Sequence, residues 1–312
     1  MSRLPDRNVF YLNRLGPTPL TPIRLAAEEP VIWCKLEFLN PSGSTKDRIA
    51  RFILEKAWRE GKITRGSTVI EASSGSTSIA MALACAQLGV RFIAVMPEGV
   101  SNERVLIIKG YGGDIRFTSK EGGILAAIAE TERLAAVLDA FLPKQFANID
   151  NARAHRMCTA REIVDQIPGG VVDAVVSGVG TGGTLVGLFQ GFRDAGCPVI
   201  PVCVRPVDLQ GGDPEIECCS FSARIPGVVD RVSKIFCPDA LPGLRTIEIR
   251  DVEAMQTTRQ LMRLGFPVGP SSGLNYRASV EIAKELGEAQ VVTVFPDRME
   301  RYFTTELFSS YR

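Results

Sequence analysis

Residues 173–192 read DAVVSGVGTGGTLVGLFQGF, and this stretch decides the class of fold. An apolar, β-branched run ends in a glycine-rich turn, and an apolar helical pattern follows the turn directly. Glycines let a backbone approach a bound anion closely, and the first amides of a helix point toward such an anion. The turn therefore indicates a phosphate-binding site between a buried strand and a helix.

The same alternation of strand and helix covers most of the chain. Strands are predicted at 31–39, 67–72, 91–96, 114–118, 173–180, 198–204 and 290–295. Helices are predicted at 46–60, 77–88, 102–111, 124–138 and 274–285. Strands that alternate with helices form parallel sheets through crossover helices. With 312 residues, the pattern predicts an α/β protein of two domains, 1–148 and 149–312, each with a central, mostly parallel sheet flanked by helices.

Composition and charge point to a small ligand. The 36 lysines and arginines nearly balance the 35 aspartates and glutamates, which leaves a net charge of +1. Such a balance creates no field that would attract nucleic acid or an acidic membrane. No apolar run reaches the about 20 residues that a membrane span needs, and the N-terminus shows no signal peptide. We expect a cytoplasmic protein with reduced cysteines and with neither nucleic acid nor membrane as a partner.

The chain contains a single histidine, His155. Catalytic triads, Cys-His dyads and multi-histidine metal sites all need imidazoles, and the eight cysteines contain no CxxC pair. No metal site is therefore expected, and we expect His155 to be a partly buried structural residue of a helix. Proton chemistry must come from a lysine, a carboxylate or a cofactor.

Three further turns between a strand and a helix carry polar side chains. In NPSGSTKDR (40–48), Lys46 begins a helix, where the partial positive charge lowers the pKa of an ammonium and favours the neutral amine that Schiff-base chemistry needs. SSGST (73–77) offers amides and hydroxyls to a carboxylate or phosphate. GPSSG (269–273) precedes the last long helix. Each turn by itself is also compatible with a solvated lysine or an ordinary helix cap.

Taken together, the four turns suggest a ligand with a carbonyl, a phosphate and a polar ring. Pyridoxal phosphate has these groups and supplies the electron sink that a chain with one histidine lacks. GVGTGG (178–183) also fits the GxGxxG pattern of dinucleotide-binding folds. The strand after it ends with Arg205 rather than with an acidic residue for the ribose, which leaves an NADP-binding oxidoreductase as the rival interpretation.

The motifs NPSGSTKDR, SSGST, QFAN (145–148), GVGTGGT and GPSSG occur in the order seen in fold-type II pyridoxal-phosphate enzymes. From Gly16 to Tyr302 the chain resembles the branch of cysteine synthase and cystathionine β-synthase. The resemblance implies a tryptophan synthase β-like fold, a homodimer, and β-replacement on O-acetyl- or O-phospho-L-serine through an α-aminoacrylate, with sulfide giving L-cysteine. Cystathionine formation, a diaminopropionate-type product, cysteine desulfhydration and a catalytically idle cofactor-binding protein remain open.

The resemblance also implies roles for individual residues. Lys46 would form the Schiff base and move the Cα proton. The residues expected at the substrate carboxylate are Ser73, Ser74, Gly75, Thr77 and Gln145. The residues expected at the cofactor are Ser76, Gly180, Thr181, Gly182, Gly183, Thr184 and, at the pyridine nitrogen, Ser271. A serine hydroxyl is too weak an acid to keep that nitrogen protonated, which favours β-elimination over transamination.

Two positions bear on the leaving group. The family places asparagine beside the cofactor's 3′ oxygen, where this chain has Ser76. Serine is shorter and has one donor, so the cofactor tilt or the leaving-group chemistry is expected to differ. Arg224 lies in the loop that matches the family's substrate mouth, where its fork could pair with a phosphate leaving group; as a solvated loop arginine it needs no explanation.

Overall fold

The structure is a computed structural model that describes residues 15–207, 224–225, 228 and 232–311. Most of the loop that contains Arg224 lies outside the described residues. Within the described ranges, no helix is both long enough and apolar enough to cross a membrane.

The strands of the described chain form two sheets. In chain order they are β1 (Leu20–Ile23), β2 (Ile32–Lys35), β3 (Thr68–Ala72), β4 (Arg91–Pro97), β5 (Asp114–Thr118), β6 (Ala174–Gly178), β7 (Ile200–Val207), β8 (Arg245–Arg250) and β9 (Val291–Val294). The larger sheet has the order β1-β2-β9-β6-β7-β8, and the smaller has the order β3-β4-β5. Only β1, which pairs with β2, runs antiparallel to its neighbour among these strands.

Helices connect the parallel strands. In the described chain they are α1 (Lys46–Arg59), α2 (Ser76–Leu88), α3 (Asn102–Gly110), α4 (Gly123–Leu138), α5 (Asp150–Ala154), α6 (Ala160–Gln166), α7 (Gly183–Asp194), α8 (Asp251–Arg263) and α9 (Pro270–Leu286). A π-helical segment, His155–Thr159, continues α5 into α6. Crossover helices of this kind are what parallel pairing requires.

The central strands of the larger sheet are buried on both faces. Every residue of β9 is buried, and neighbouring residues of β6 enter different cores. Val175 packs with Leu188 of α7, whereas Val176 packs with Ile282 of α9. Side chains alternate between the faces of a strand, so a continuous apolar run is expected where helices cover both faces.

The turns that follow the parallel strands carry the polar residues of interest. Residues 73–75 follow β3, residues 179–182 follow β6, and Asp297 lies shortly after β9. In open α/β sheets, ligands bind outside the carboxyl ends of the strands. The fold therefore places these turns where a ligand is expected.

All seven predicted strands are confirmed, as are the predicted α1–α4 and α9. Sequence patterns missed β1 and β8, which lie at the two edges of the larger sheet. Their sequences, LTPI and RTIEIR, contain a proline or alternating charges, which edge strands tolerate and which hide an apolar run. Because β2 pairs with the C-terminal β9, and β1 pairs with β2, the larger sheet contains strands from both sides of residue 148; the domain boundary there stays a prediction.

Candidate active site

A cavity of about 430 Å³ lies beside the turns that follow β3, β6 and β9. It brings together predicted residues from both halves of the chain. Those that line it are Lys46, Ser73, Ser74, Gly75, Ser76, Thr77, Gln145, Gly180, Thr181, Gly182, Thr184 and Ser271. Among the described residues, the lining does not include Gly183 or Arg224.

Lys46 is the first residue of α1 and is half-buried in this cavity. Burial lowers the pKa of its amine, while the carboxylates of Asp297 and Glu37 act in the opposite direction. The sequence predicted a lowered pKa for the Lys46 amine because of the partial positive charge at the helix start. In the fold, loss of hydration is the larger cause. The amine therefore has a larger neutral fraction than an exposed lysine has.

The loop before Lys46 is held by the next residue, Asp47. Its carboxylate accepts hydrogen bonds from the backbone amide of Ser42 (3.1 Å), the Ser42 hydroxyl (2.6 Å) and the amide of Ser44 (3.4 Å). The guanidinium of Arg301 also donates to the carbonyl of Ser42. Burial raises the pKa of Asp47 to about 6, although these hydrogen bonds lower it. The loop that positions Lys46 is thus tied both to α1 and to the C-terminal segment.

The second predicted turn, residues 73–77, begins α2. The hydroxyl of Thr77 donates a 2.6 Å hydrogen bond to Oε1 of Gln145, whose Nε2 donates to the carbonyl of Ala72, also at 2.6 Å. The amides of this helix start carry partial positive charge and can bind a carboxylate. Gln145 therefore lies at the turn, as predicted, and the hydrogen bonds of its side-chain amide also stabilise the turn.

Glu71, which sequence reasoning missed, lies beneath this turn. It is buried, and its carboxyl group accepts backbone hydrogen bonds from Gln145 (3.0 Å) and Ala72 (2.9 Å). Burial raises its pKa to about 8, against the effect of the two amides. The only sequence signal was a charged residue within the otherwise apolar strand TVIEA.

The third turn, residues 179–184, is shaped by close packing. Gly182 has a φ of 78°, and a Cβ there would lie 2.4 Å from Cβ of Phe236. A Cβ on Gly183 would lie 1.9 Å from Oδ1 of Asn151. The Asn151 amide donates to the hydroxyl of Thr181 (2.9 Å). Glycine is therefore required at both positions, and the first amides of α7 follow them as an anion-binding cradle.

His155 supports this third turn from below. It is fully buried, with Nδ1 3.0 Å from the hydroxyl of Thr159 and Nε2 3.3 Å from that of Thr184. Burial lowers its pKa to about 3, so the imidazole is neutral at physiological pH. The prediction of a partly buried structural histidine was wrong in degree, because the ring is wholly enclosed and touches a predicted phosphate-binding residue.

The fourth turn, residues 269–273, begins α9, with proline at its first position. Pro270 suits a helix start because its missing N–H is not needed there. Ser271 lines the cavity, while the neighbouring hydroxyl of Ser272 is buried and has no hydrogen-bond partner among the described residues. Ser271 is thus the serine of this turn that lines the cavity.

Ser76 contacts a carboxylate that sequence reasoning missed. Its hydroxyl donates a 3.0 Å hydrogen bond to Oδ2 of Asp297, which also accepts one from the hydroxyl of Tyr302 at 2.8 Å. Both Asp297 and Tyr302 line the cavity. The sequence signal that could have identified Asp297 was its position just after the buried strand VVTV.

Arg224 is not among the described residues that line the cavity. Its Nε donates to Oε2 of Glu306 at 2.8 Å. Most of the loop around it lies outside the described residues, so the expected contact with a substrate phosphate stays a prediction.

A reactive lysine at one helix start and a glycine-rich anion cradle at another, both on one cavity of an α/β fold, define a fold-type II pyridoxal-phosphate enzyme. Residues 11–297 match the family described as pyridoxal-phosphate dependent enzyme, and the chain belongs to this family. Family membership decides between the two cofactors that the third turn allowed, in favour of pyridoxal phosphate. The cradle and the Lys46 amine fit the phosphate and the aldehyde of that group.

Proteins similar to this chain include cysteine synthases and a cystathionine β-synthase. A cysteine synthase of Staphylococcus aureus is 35% identical over 318 aligned positions, which cover 99% of each chain. The structure of an O-acetylserine dependent cystathionine β-synthase from Helicobacter pylori has a TM-score of 0.85 and 32% identity, covering 95% of this chain and 97% of that one. A cysteine synthase structure from Entamoeba histolytica has a TM-score of 0.85 and 30% identity, covering 99% and 93%.

Proposed function

We propose that the protein catalyses β-replacement on O-acetyl-L-serine, with sulfide as the nucleophile and L-cysteine as the product. One observation carries the proposal: an amine of lowered pKa and two anion-binding helix starts line the same cavity. The similarity to proteins named cysteine synthase and O-acetylserine dependent cystathionine β-synthase supports the choice of donor.

Each turn has a role in holding the cofactor. Lys46 would bind the aldehyde, residues 180–184 would bind the phosphate, and the hydroxyl of Ser271 would donate a hydrogen bond to the ring nitrogen. When bound, pyridoxal phosphate supplies an electron sink for negative charge at the substrate's Cα. His155 and Asn151 keep the phosphate turn in shape through Thr184 and Thr181.

The substrate's α-carboxylate would bind at residues 73–77. The amides at the start of α2 face it, and the hydroxyls of Ser73 and Ser74 add polar contacts. Gln145 fixes Thr77 and the end of β3, so the turn is preorganised rather than assembled by the substrate. This placement orients the Cα–H bond toward a base.

Lys46 is that base. Burial favours its neutral amine, which can accept the Cα proton and later return it. Asp297 and Glu37 then stabilise the ammonium that the transfer creates. The surroundings of Lys46 therefore support both the neutral amine that accepts the proton and the ammonium that results.

Several finer points belong to the same proposal. O-phospho-L-serine is the alternative donor, with Arg224 as a candidate contact for its phosphate. A thiol or amine nucleophile in place of sulfide would give cystathionine or a diaminopropionate-type product. We infer a homodimer, which the resemblance implies, and a cytoplasmic location, which the sequence analysis predicted.

The test is reconstitution of the purified protein with pyridoxal phosphate, followed by assay with O-acetyl-L-serine and sulfide. Wild type should become yellow and form cysteine, and borohydride should fix the cofactor on Lys46. Lys46→Ala should lose all three properties, whereas Lys62→Ala, at an exposed lysine just after α1, should keep them. A yellow wild type without turnover on any activated serine would instead support an idle cofactor-binding protein.

A further inference from the structure

Arg104, on α3, is a buried cation without a counter-charge among the residues that the structure describes. Its side chain is only 8% exposed and lines the cavity. Throughout the described ranges, no carboxylate lies within ion-pair distance of its guanidinium, and Nε is buried without a hydrogen-bond partner. Burying an ammonium or guanidinium is costly unless an anion accompanies it. The fold therefore holds this cation ready for an anion that the described residues do not provide.

The neighbouring residues place the guanidinium of Arg104 beside the predicted substrate-carboxylate turn. A Cβ on Gly75 would lie 2.6 Å from Cδ and 2.7 Å from Nε of Arg104, so only glycine lets the two approach. On its other side, Cζ of Arg104 lies 5.2 Å from the centre of the Tyr302 ring. Arg104 thus lies between the predicted carboxylate turn and the segment that holds Ser76 through Asp297.

The charges around the cavity favour an anion here. The cationic residues of its described lining are Lys46, Arg104 and Lys120, and the acidic ones are Glu98 and Asp297. Lys46 belongs to the cofactor, and Asp297 accepts hydrogen bonds from Ser76 and Tyr302. The α-carboxylate of an amino acid already has the amides of residues 73–77. Arg104 is therefore left for a second anionic group.

We propose that Arg104 binds an oxyanion that a substrate carries in addition to the donor's α-carboxylate. The inference rests on the proposed β-replacement and specifies its substrates more closely. Two substrates could bring such a group: a donor with a phosphate leaving group, or a nucleophile with a carboxylate. A guanidinium suits both, because its parallel N–H bonds match phosphate and carboxylate oxygens.

Matched substrate pairs distinguish the two sources. The donors are O-phospho-L-serine and O-acetyl-L-serine, and the nucleophiles are 3-mercaptopropionate and 2-mercaptoethanol, which differ in a carboxylate. Arg104→Met should lower kcat/KM for the anionic member of a pair by about tenfold more than for its neutral member. Arg104→Lys should restore part of the loss. The pair that responds identifies the source of the anion.

Lys109→Met is the matched control, since Lys109 lies on the same helix and is exposed. Lys109→Met should leave the ratio of kcat/KM between the two members of each substrate pair unchanged. Equal losses on all four substrates in Arg104→Met, or no loss at all, would overturn the proposal and leave Arg104 a structural residue.

A binding measurement separates this inference from the proposed function. Calorimetric titration of the holoenzyme with inorganic phosphate and with 3-mercaptopropionate should show at least one ligand bound about tenfold more weakly by Arg104→Met, or by Arg104→Lys if the first variant does not fold. If wild type and variant bind each of the two ligands with the same affinity, the inference is wrong. Failure of wild type to turn over O-acetyl-L-serine or O-phospho-L-serine with sulfide or with either thiol would overturn the proposed function, whatever the titration shows.

Discussion

The hydroxyl of Ser76 donates a 3.0 Å hydrogen bond to Oδ2 of Asp297, across 221 positions of sequence. The single proton of Ser76 is thereby used within the protein, so toward a ligand this hydroxyl presents lone pairs. An asparagine at the same position would present an amide donor. The exchange of the family's asparagine for serine is therefore coupled to a carboxylate that also acts on Lys46.

Replacing Asp297 by asparagine should lower the pKa of the Lys46 amine. The aspartate attracts the ammonium form, and asparagine removes the charge while it keeps an oxygen that can accept from Ser76 and Tyr302. We expect a shift of about one pH unit. The rate at which the apoprotein captures pyridoxal phosphate, measured against pH, should therefore reach its midpoint at lower pH.

Glu98→Gln serves as the control for this shift. Glu98 also lines the cavity, but it is not among the groups that act on the Lys46 amine. A midpoint that stays fixed in Asp297→Asn, or that moves equally in both variants, would contradict the coupling.

Gly183→Ala should weaken cofactor binding. The added Cβ would meet Oδ1 of Asn151 at 1.9 Å, and the Asn151 amide links the hydroxyl of Thr181 to the carbonyl of Gln145. The displacement would disturb the phosphate turn, and we expect the Kd for pyridoxal phosphate to rise about tenfold, or 1.4 kcal/mol. Fluorescence titration of the apoprotein measures it.

The matched exchange is Gly110→Ala, near the end of α3, where an added Cβ meets nothing within 4 Å. It should leave cofactor affinity unchanged and be neutral or slightly stabilising. Cofactor binding by Gly183→Ala that equals that of Gly110→Ala would show that the turn tolerates a side chain.

Local chemistry explains what could be predicted from the sequence. The glycines and threonines of residues 178–184 lie directly between a strand and a helix, so their pattern indicates both the fold and the anion. Lys46 and Ser271 are found in the same way, each in a short turn whose composition is unusual. Such signals depend on neighbours in sequence alone.

Tertiary packing explains what was missed. Arg104 and Asp297 look like ordinary charged residues, and only the approach of α3 to the C-terminal segment brings both to Tyr302. The lowered pKa of Lys46 was expected from the helix start, yet burial is the main cause. Desolvation depends on the whole fold, and a turn motif does not contain it.

Glu71 should make the protein less stable as the pH rises. Its pKa is about 8 in the fold against 4.5 ordinarily, so between these values the folded state keeps a proton that the unfolded chain has lost. Stability then falls with rising pH by at most about 1.4 kcal/mol per pH unit. Glu71→Gln should flatten this fall, as measured by urea unfolding of the apoprotein at pH 6 and pH 8.

The exposed Glu121 provides the comparison, since Glu121→Gln should keep the wild-type difference between the two pH values. If Glu71→Gln instead parallels wild type, the buried carboxyl group is ionised throughout, held by its two backbone amides.

His155 should act in the opposite direction, in acid. Its pKa falls from 6.5 to about 3 on folding, so the stability that it contributes is complete above pH 6.5 and is lost as the pH falls toward 3. Between pH 6.5 and pH 5 the loss should reach about 2 kcal/mol. Because the chain has one histidine, a single imidazole resonance reports the group directly. Its chemical shift in the folded protein should stay constant from pH 8 to pH 5, and a titration within that range would show that the ring beneath Thr184 is hydrated.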